Sequence, residues 1–251
     1  MRSFLTLGFV FLFVFSNAQE GTRTATEAKT AARIMIVPFE PKLYMSEIDQ
    51  KVNLETKWKF EQIRENFRHQ LDNQLKQKIQ STKPVISFYS DSAKMSKDLQ
   101  YIYNSTNITF EKIDKSAKPT AEDEKKIKNG QLAVSINNDL KYTNTAVKEA
   151  EMLGYLNKKY NAEHFLFVNE LDIRTVPESY DLASDSYKRE VVVHYTILDK
   201  SGKVLHAGLS RSLFSSKENN PKKIVSSAFS SVASAIASNY AAAVKPVVPK
   251  K

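Results

Sequence analysis

Four histidines are the residues in this chain best suited to acid-base or metal chemistry: His69, His164, His194 and His206. Imidazole titrates near neutral pH and ligates metals through either ring nitrogen. The sequence has no cysteine, which removes thiol chemistry and disulfides and leaves any metal to histidine and carboxylate. His69 lies among charged residues of a helical stretch and reads as solvated. His164 opens an apolar run and reads as a packing or capping residue. His194 and His206 are the candidate metal pair, because both fall on one β-hairpin. If the turn sets Thr196 opposite His206, the two imidazoles share a face on a diagonal of about 7–8 Å; a slip of one residue puts them on opposite faces. A metal would need a third ligand and supporting bonds. Glu190 and Asp199 are nearby carboxylates, but their spacing selects neither, so no metal, cofactor or catalytic residue is assigned.

Other motifs are missing from the sequence. It contains no Gly-x-Ser-x-Gly, no phosphate loop and no His-Glu-x-x-His. Six glycines give little material for a phosphate cradle. Glu178, Asp181 and Asp185 crowd one loop without the regular spacing of a calcium loop. The Asn-x-Thr triplets at Asn104 and Asn107 would matter only in a eukaryotic secretory route.

The elements that must hold these residues follow from hydrophobic patterning. Ile34-Met35-Ile36-Val37 is a short apolar run without alternation, which suits a strand covered on both faces, and Pro38 ends it. From Asn53 to about Ile79, Phe60, Ile63, Phe67, Leu71, Leu75 and Ile79 recur at helical spacing, with Asn53 as the cap. Pro84 stops this helix, and residues 85–89 read as a second strand, parallel to the first. Residues 90–143 form an insertion in which a hairpin around Asn104 and a helix from Ser92 to Tyr103 both fit. Leu132, Val134 and Ile136 alternate as an edge strand. A helix is expected over Thr145 to Tyr160, then a buried strand from His164. Glu190 to Leu198 and Lys203 to Phe214 pair about an Asp199-Gly202 turn. Asn220-Pro221 starts a closing helix with Val225, Phe229, Val232, Ile236 and Tyr240 on one face. The expected fold is α/β, or α+β: one layered domain over 33–240 with a mixed sheet.

Met1-Arg2, the apolar run Phe4 to Phe15 and Ser16-Asn17-Ala18 have the layout of a secretory signal peptide over 1–18. Residues 19–32 read as a mobile leader, and 241–251 as a disordered tail. The net charge of +9 would become +8 on loss of Arg2. The lysines are scattered, so no specific nucleic-acid binding is expected, and signal cleavage leaves no transmembrane segment.

The order of a strand ending in Val37-Pro38-Phe39, a long helix, a second strand, then Tyr160-Asn161-Ala162-Glu163-His164-Phe165-Leu166-Phe167-Val168 and a hairpin at Leu198-Asp199-Lys200-Ser201-Gly202-Lys203-Val204-Leu205 resembles a family. It is similar to the periplasmic α/β domain of curli-secretion lipoproteins and the amino-terminal domain of TolB-like envelope proteins. The family's lipid-attachment cysteine is absent, and Asn161 stands where the family often has glycine. The resemblance implies a fold and an envelope setting, without a pore. The signal ending looks like those of the Bacteroidetes. A non-enzymatic binding or assembly module follows as the expectation, in the periplasm, at the outer envelope or outside the cell. Its partners would be other envelope proteins, and an oligomer is compatible with the sequence. The alternative is a secreted metal-dependent hydrolase using the hairpin histidines.

Overall fold

The computed structural model describes residues 32–89, 92–112 and 141–245. In chain order the elements are β1 (Arg33–Val37), β2 (Tyr44–Ser46), α1 (Asp49–Thr56), α2 (Phe60–Ile79), β3 (Val85–Ser87), α3 (Ser92–Asn104), β4 (Thr106–Lys112), β5 (Lys141–Val147), α4 (Glu151–Tyr160), β6 (Ala162–Thr175), β7 (Lys188–Asp199) and β8 (Val204–Ser215). The closing helix consists of α5 (Pro221–Ile224), a π-helical turn (Val225–Phe229) and α6 (Ser230–Ala243). Residues 1–31, which hold the stretches read as signal peptide and leader up to residue 31, the edge strand expected at 132–136 and the last six residues lie outside the described residues.

The sheet is mixed, as expected for an α/β fold, and runs β3-β1-β6-β7-β8, with β2 also paired to β6. The apolar run of β1 lies parallel to both neighbours, with Met35 level with Ile86 on one side and Phe165 on the other. β6, β7 and β8 continue antiparallel. Because successive side chains point to opposite faces, β1 feeds two cores. Ile34 and Ile36 join Leu166, Val168, Val193, Tyr195 and Ile197 under α2 and the closing helix. Met35 and Val37 join Phe165, Phe167 and Leu198 under α3 and α4. Ile63, Phe67, Leu71, Leu75 and Ile79 of α2 are all buried, and each such side chain stabilises by about 1.5–3 kcal/mol before entropy. On the second face, Asp98 ties α3 to α4 by accepting from Tyr155 (2.9 Å), Lys159 (2.8 Å) and Tyr160.

The structure corrects several expectations. The long helix is two. Lys57 adopts a left-handed conformation (φ 63°) that ends α1, and Asn53, instead of capping, donates to the Trp58 carbonyl at 2.7 Å. α2 is capped by Gln62 Oε1, which accepts from the Lys59 amide at 2.8 Å, and Phe60 is 56% exposed. In the insertion the helical alternative holds over Ser92–Asn104. β5 occupies the start of the helix expected from Thr145, so Ala146 and Val147 belong to a ribbon in which Ile108 faces Thr145. α6 carries the helix through Ala243, into the stretch read as tail. Asn220 caps the closing helix as expected, accepting from the Lys222 amide at 3.0 Å. Along that helix Ser227, Ser231, Ser234 and Ser238 each bond back to the carbonyl four residues earlier.

Candidate functional site

The first face of the sheet is apolar from Leu166 to Ile173 of β6 and from Val191 to Ile197 of β7; the second changes character halfway. Phe165 and Phe167 face α3 and α4, and then Asn169 takes the next position. A bulge between Val168 and Glu170 sets the polar pair Asn169-Glu170 and then Asp172 on this face, while Leu171 and Ile173 return to the first core. From β7, Glu190, His194 and Thr196 share the second face. All six polar side chains are buried.

β5 lies across them and meets them with its backbone. The Thr143 amide donates to His194 Nδ1 at 2.9 Å, and the Thr145 amide donates to Thr196 Oγ1 at 3.0 Å. Asn169 Nδ2 donates to the Thr143 carbonyl at 2.7 Å and to Thr196 Oγ1 at 2.9 Å, and its Oδ1 accepts from Thr145 Oγ1 at 2.6 Å. Thr196 Oγ1 in turn donates to Asn144 Oδ1 at 2.6 Å. A ribbon edge that would otherwise offer open donors is thereby satisfied by side chains of the sheet.

Glu170, Asp172 and His194 are the group of possible metal ligands among the described residues, with one ligand atom of each lying within 4.8 Å of the others. The tautomer argues against ligation. Nδ1 accepts the Thr143 amide, so the neutral ring carries its proton on Nε2, which lies 3.8 Å from Asp172 Oδ2. A metal-bound histidine usually donates its remote N–H to an acceptor; here the remote nitrogen is itself the acceptor. Chemically, His194, with Asn169 and Thr196, is fitted to fasten the ribbon. Glu190 accepts from Arg174 Nε at 2.9 Å and lies 3.8 Å from Arg211.

The two candidate histidines do not meet. Leu198 faces Val204, the register that would set Thr196 against His206, but Leu205 is then bulged out and Ile197 faces His206. His206 therefore turns to the first face, where its ring stacks on Tyr195 at 5.5 Å and burial pushes its pKa down. Asp199 is spent in the turn, its Oδ1 accepting from the Ser201 and Lys203 amides. His164 contacts Tyr240 Oη through Nδ1 at 2.8 Å, and burial, aided by Lys83, lowers its pKa. Asp181 accepts from Ser184 and the Ala183 amide, and Asp185 from Tyr180, within their own loop.

A second polar region lies at the carboxyl ends of β1 and β3, where open α/β sheets commonly bind ligands. It is filled by the chain itself. Arg68 donates to the Phe39 carbonyl and to Tyr103 Oη, both at 2.7 Å, and Tyr103 donates to the Pro38 carbonyl at 2.6 Å. Asp72, 2% exposed, accepts a short bond from Ser87, and burial lifts its pKa to about 6. Beside it runs a shallow groove of about 450 Å³ lined by Trp58, Gln62, Glu65, Asn66, His69 and Tyr89, in which His69 stacks on Tyr89 at 4.6 Å.

The sequence reading missed Asn169, Glu170, Asp172, Arg68 and Asp72. Two consecutive polar residues inside the apolar run of β6 were the available signal for a bulge. No protein-family model and no curated protein sequence matches the chain.

Proposed function

We propose that this chain is an exported, non-enzymatic module of a bacterial envelope that binds or helps assemble other envelope proteins. The observation that carries the reading is β8, a 12-residue strand paired to β7 and standing at the end of the strand order among the described residues. Such an edge is a template for another chain. The signal-peptide layout and the likeness to curli-secretion and TolB-like domains support the envelope setting. No helix among the described residues is long and apolar enough to cross a membrane. The hydrolase alternative needed His194 and His206 in one pocket, and their separation on opposite faces removes its basis. Cell fractionation with mass spectrometry of the amino terminus tests the reading. A mature chain beginning at Gln19 in the periplasmic or outer-envelope fraction is expected, with envelope proteins recovered by cross-linking. A full-length chain in the cytoplasm refutes it.

A further inference from the structure

The edge of β8 away from β7, which no described strand pairs, has a definite polarity and charge. The Ser216 amide donates to the Tyr187 carbonyl at 2.9 Å, and the register runs unbroken from Lys188 facing Ser215 to Ile197 facing His206. Hydrogen-bonded and non-bonded pairs alternate along an antiparallel ladder. The backbone N–H and C=O groups of Ala207, Leu209, Arg211 and Leu213 therefore point away from β7, to the side that no described strand occupies.

Edges in soluble proteins are commonly blunted by lysine, proline, bulges or short length. β8 is long, lacks proline and carries one charged residue, Arg211; its bulge lies at one end. Between Lys200 and Lys217 the chain carries four cations, Lys200, Lys203, Arg211 and Lys217, and no Asp or Glu. Lys203, Arg211 and Lys217 are exposed, at the start, middle and far end of the edge. Lys200 and Arg211 have carboxylates at 3.8 Å, Glu163 and Glu190; Lys203 and Lys217 form no ion pair with a described residue. A second copy is the poorer occupant. Antiparallel pairing of β8 with itself about its centre would set Lys203 of one copy beside Lys217 of the other, and like charges across strands destabilise.

We infer that the outer edge of β8 receives an extended, acidic segment of another envelope protein as an added strand, bonded to the backbone between Ala207 and Leu213. This rests on the binding-module reading above and names its site and the chemistry of its partner. Added strands take affinity from main-chain bonds and selectivity from side chains, which here means carboxylates near both ends of the segment.

The test uses the mature chain and fluorescein-labelled decapeptides of alternating threonine and valine, with glutamate or lysine near each end, followed by fluorescence anisotropy. The glutamate peptide is expected to bind at least about tenfold more tightly than the lysine peptide, and to weaken as salt rises from about 0.15 to about 0.5 M. N-methylation of one alternate set of peptide amides should cost about tenfold or more, and methylation of the other set little, because only one set faces the edge. Equal binding by both methylated forms, equal binding by the lysine peptide, or no binding of any peptide overturns the inference. So does a dimer, by sedimentation, that the glutamate peptide cannot dissociate. Loss of peptide binding in a protein still cross-linked to envelope partners would remove this inference alone; cytoplasmic localisation would remove the function beneath it.

Discussion

The two faces of the sheet solve the same problem of coverage by different chemistry. The first is sealed by side chain against side chain: Phe67 of α2 meets Phe229 of the closing helix at 5.3 Å between ring centroids over Ile34 and Ile36. The second is sealed that way only over its β1 half; beyond Phe167 it is closed by main chain against side chain, amides of β5 meeting His194 and Thr196. Apolar contacts are numerous and forgiving of direction, whereas each polar contact needs its own partner or leaves a costly orphan. The first face should therefore carry global stability. The second should carry the placement of one ribbon.

The largest effect tests the first half of that contrast. Phe229→Ala removes a ring that is fully buried and is expected to cost about 3–5 kcal/mol, read as a shift of the urea midpoint with the slope unchanged. A smaller loss would mean that the helix layer collapses into the gap. Asp72 sharpens the contrast, because it is a carboxyl buried between α2 and β3 beside the same core. Its pKa of about 6 in the folded chain lies above the ordinary 3.8, so its contribution favours folding at low pH and is lost as pH rises through about 6. The swing amounts to about 3 kcal/mol. Asp72→Asn should gain stability relative to the parent as pH rises from about 3.8 to about 6; parallel curves for the two proteins would show that Asp72 is solvated. The smallest effect is local. Thr196→Val leaves the Thr145 amide and Asn169 Nδ2 without that oxygen, at about 1–3 kcal/mol. Amide exchange should accelerate at Thr145 far more than at Ile36. Uniform acceleration would make the ribbon part of the global unit.

The same contrast explains what the sequence could disclose. The apolar runs at Ile34 and Phe165 were legible, and they lie side by side with Met35 level with Phe165, because a strand buried on both faces needs an unbroken hydrophobic run. The buried stripe of α2 was legible from Ile63 onward for a similar reason. The break at Lys57 was not, since a left-handed lysine carries no local signature of the kind glycine gives. Thr143 to Val147 mixes threonine, asparagine and alanine, and its strand state is set by β4 and by partners 26 and 51 residues away in sequence. The polar cluster was hidden because each member looks like an ordinary surface residue until β6 bulges and the ribbon lies across it.

Leu205 shows how much can hang on one inserted residue. It pushes every side chain of β8 from His206 onward through the plane of the sheet, so that an imidazole rests on Tyr195 under the helices. A ladder that kept Leu205 paired with Ile197 would set His206 opposite Thr196, on the side of His194, and would turn Ala207, Leu209 and Leu213 toward the helices in its stead. What separates a hairpin with its imidazoles on opposite faces from one with both on the same side is therefore whether a single leucine stands in the ladder or out of it.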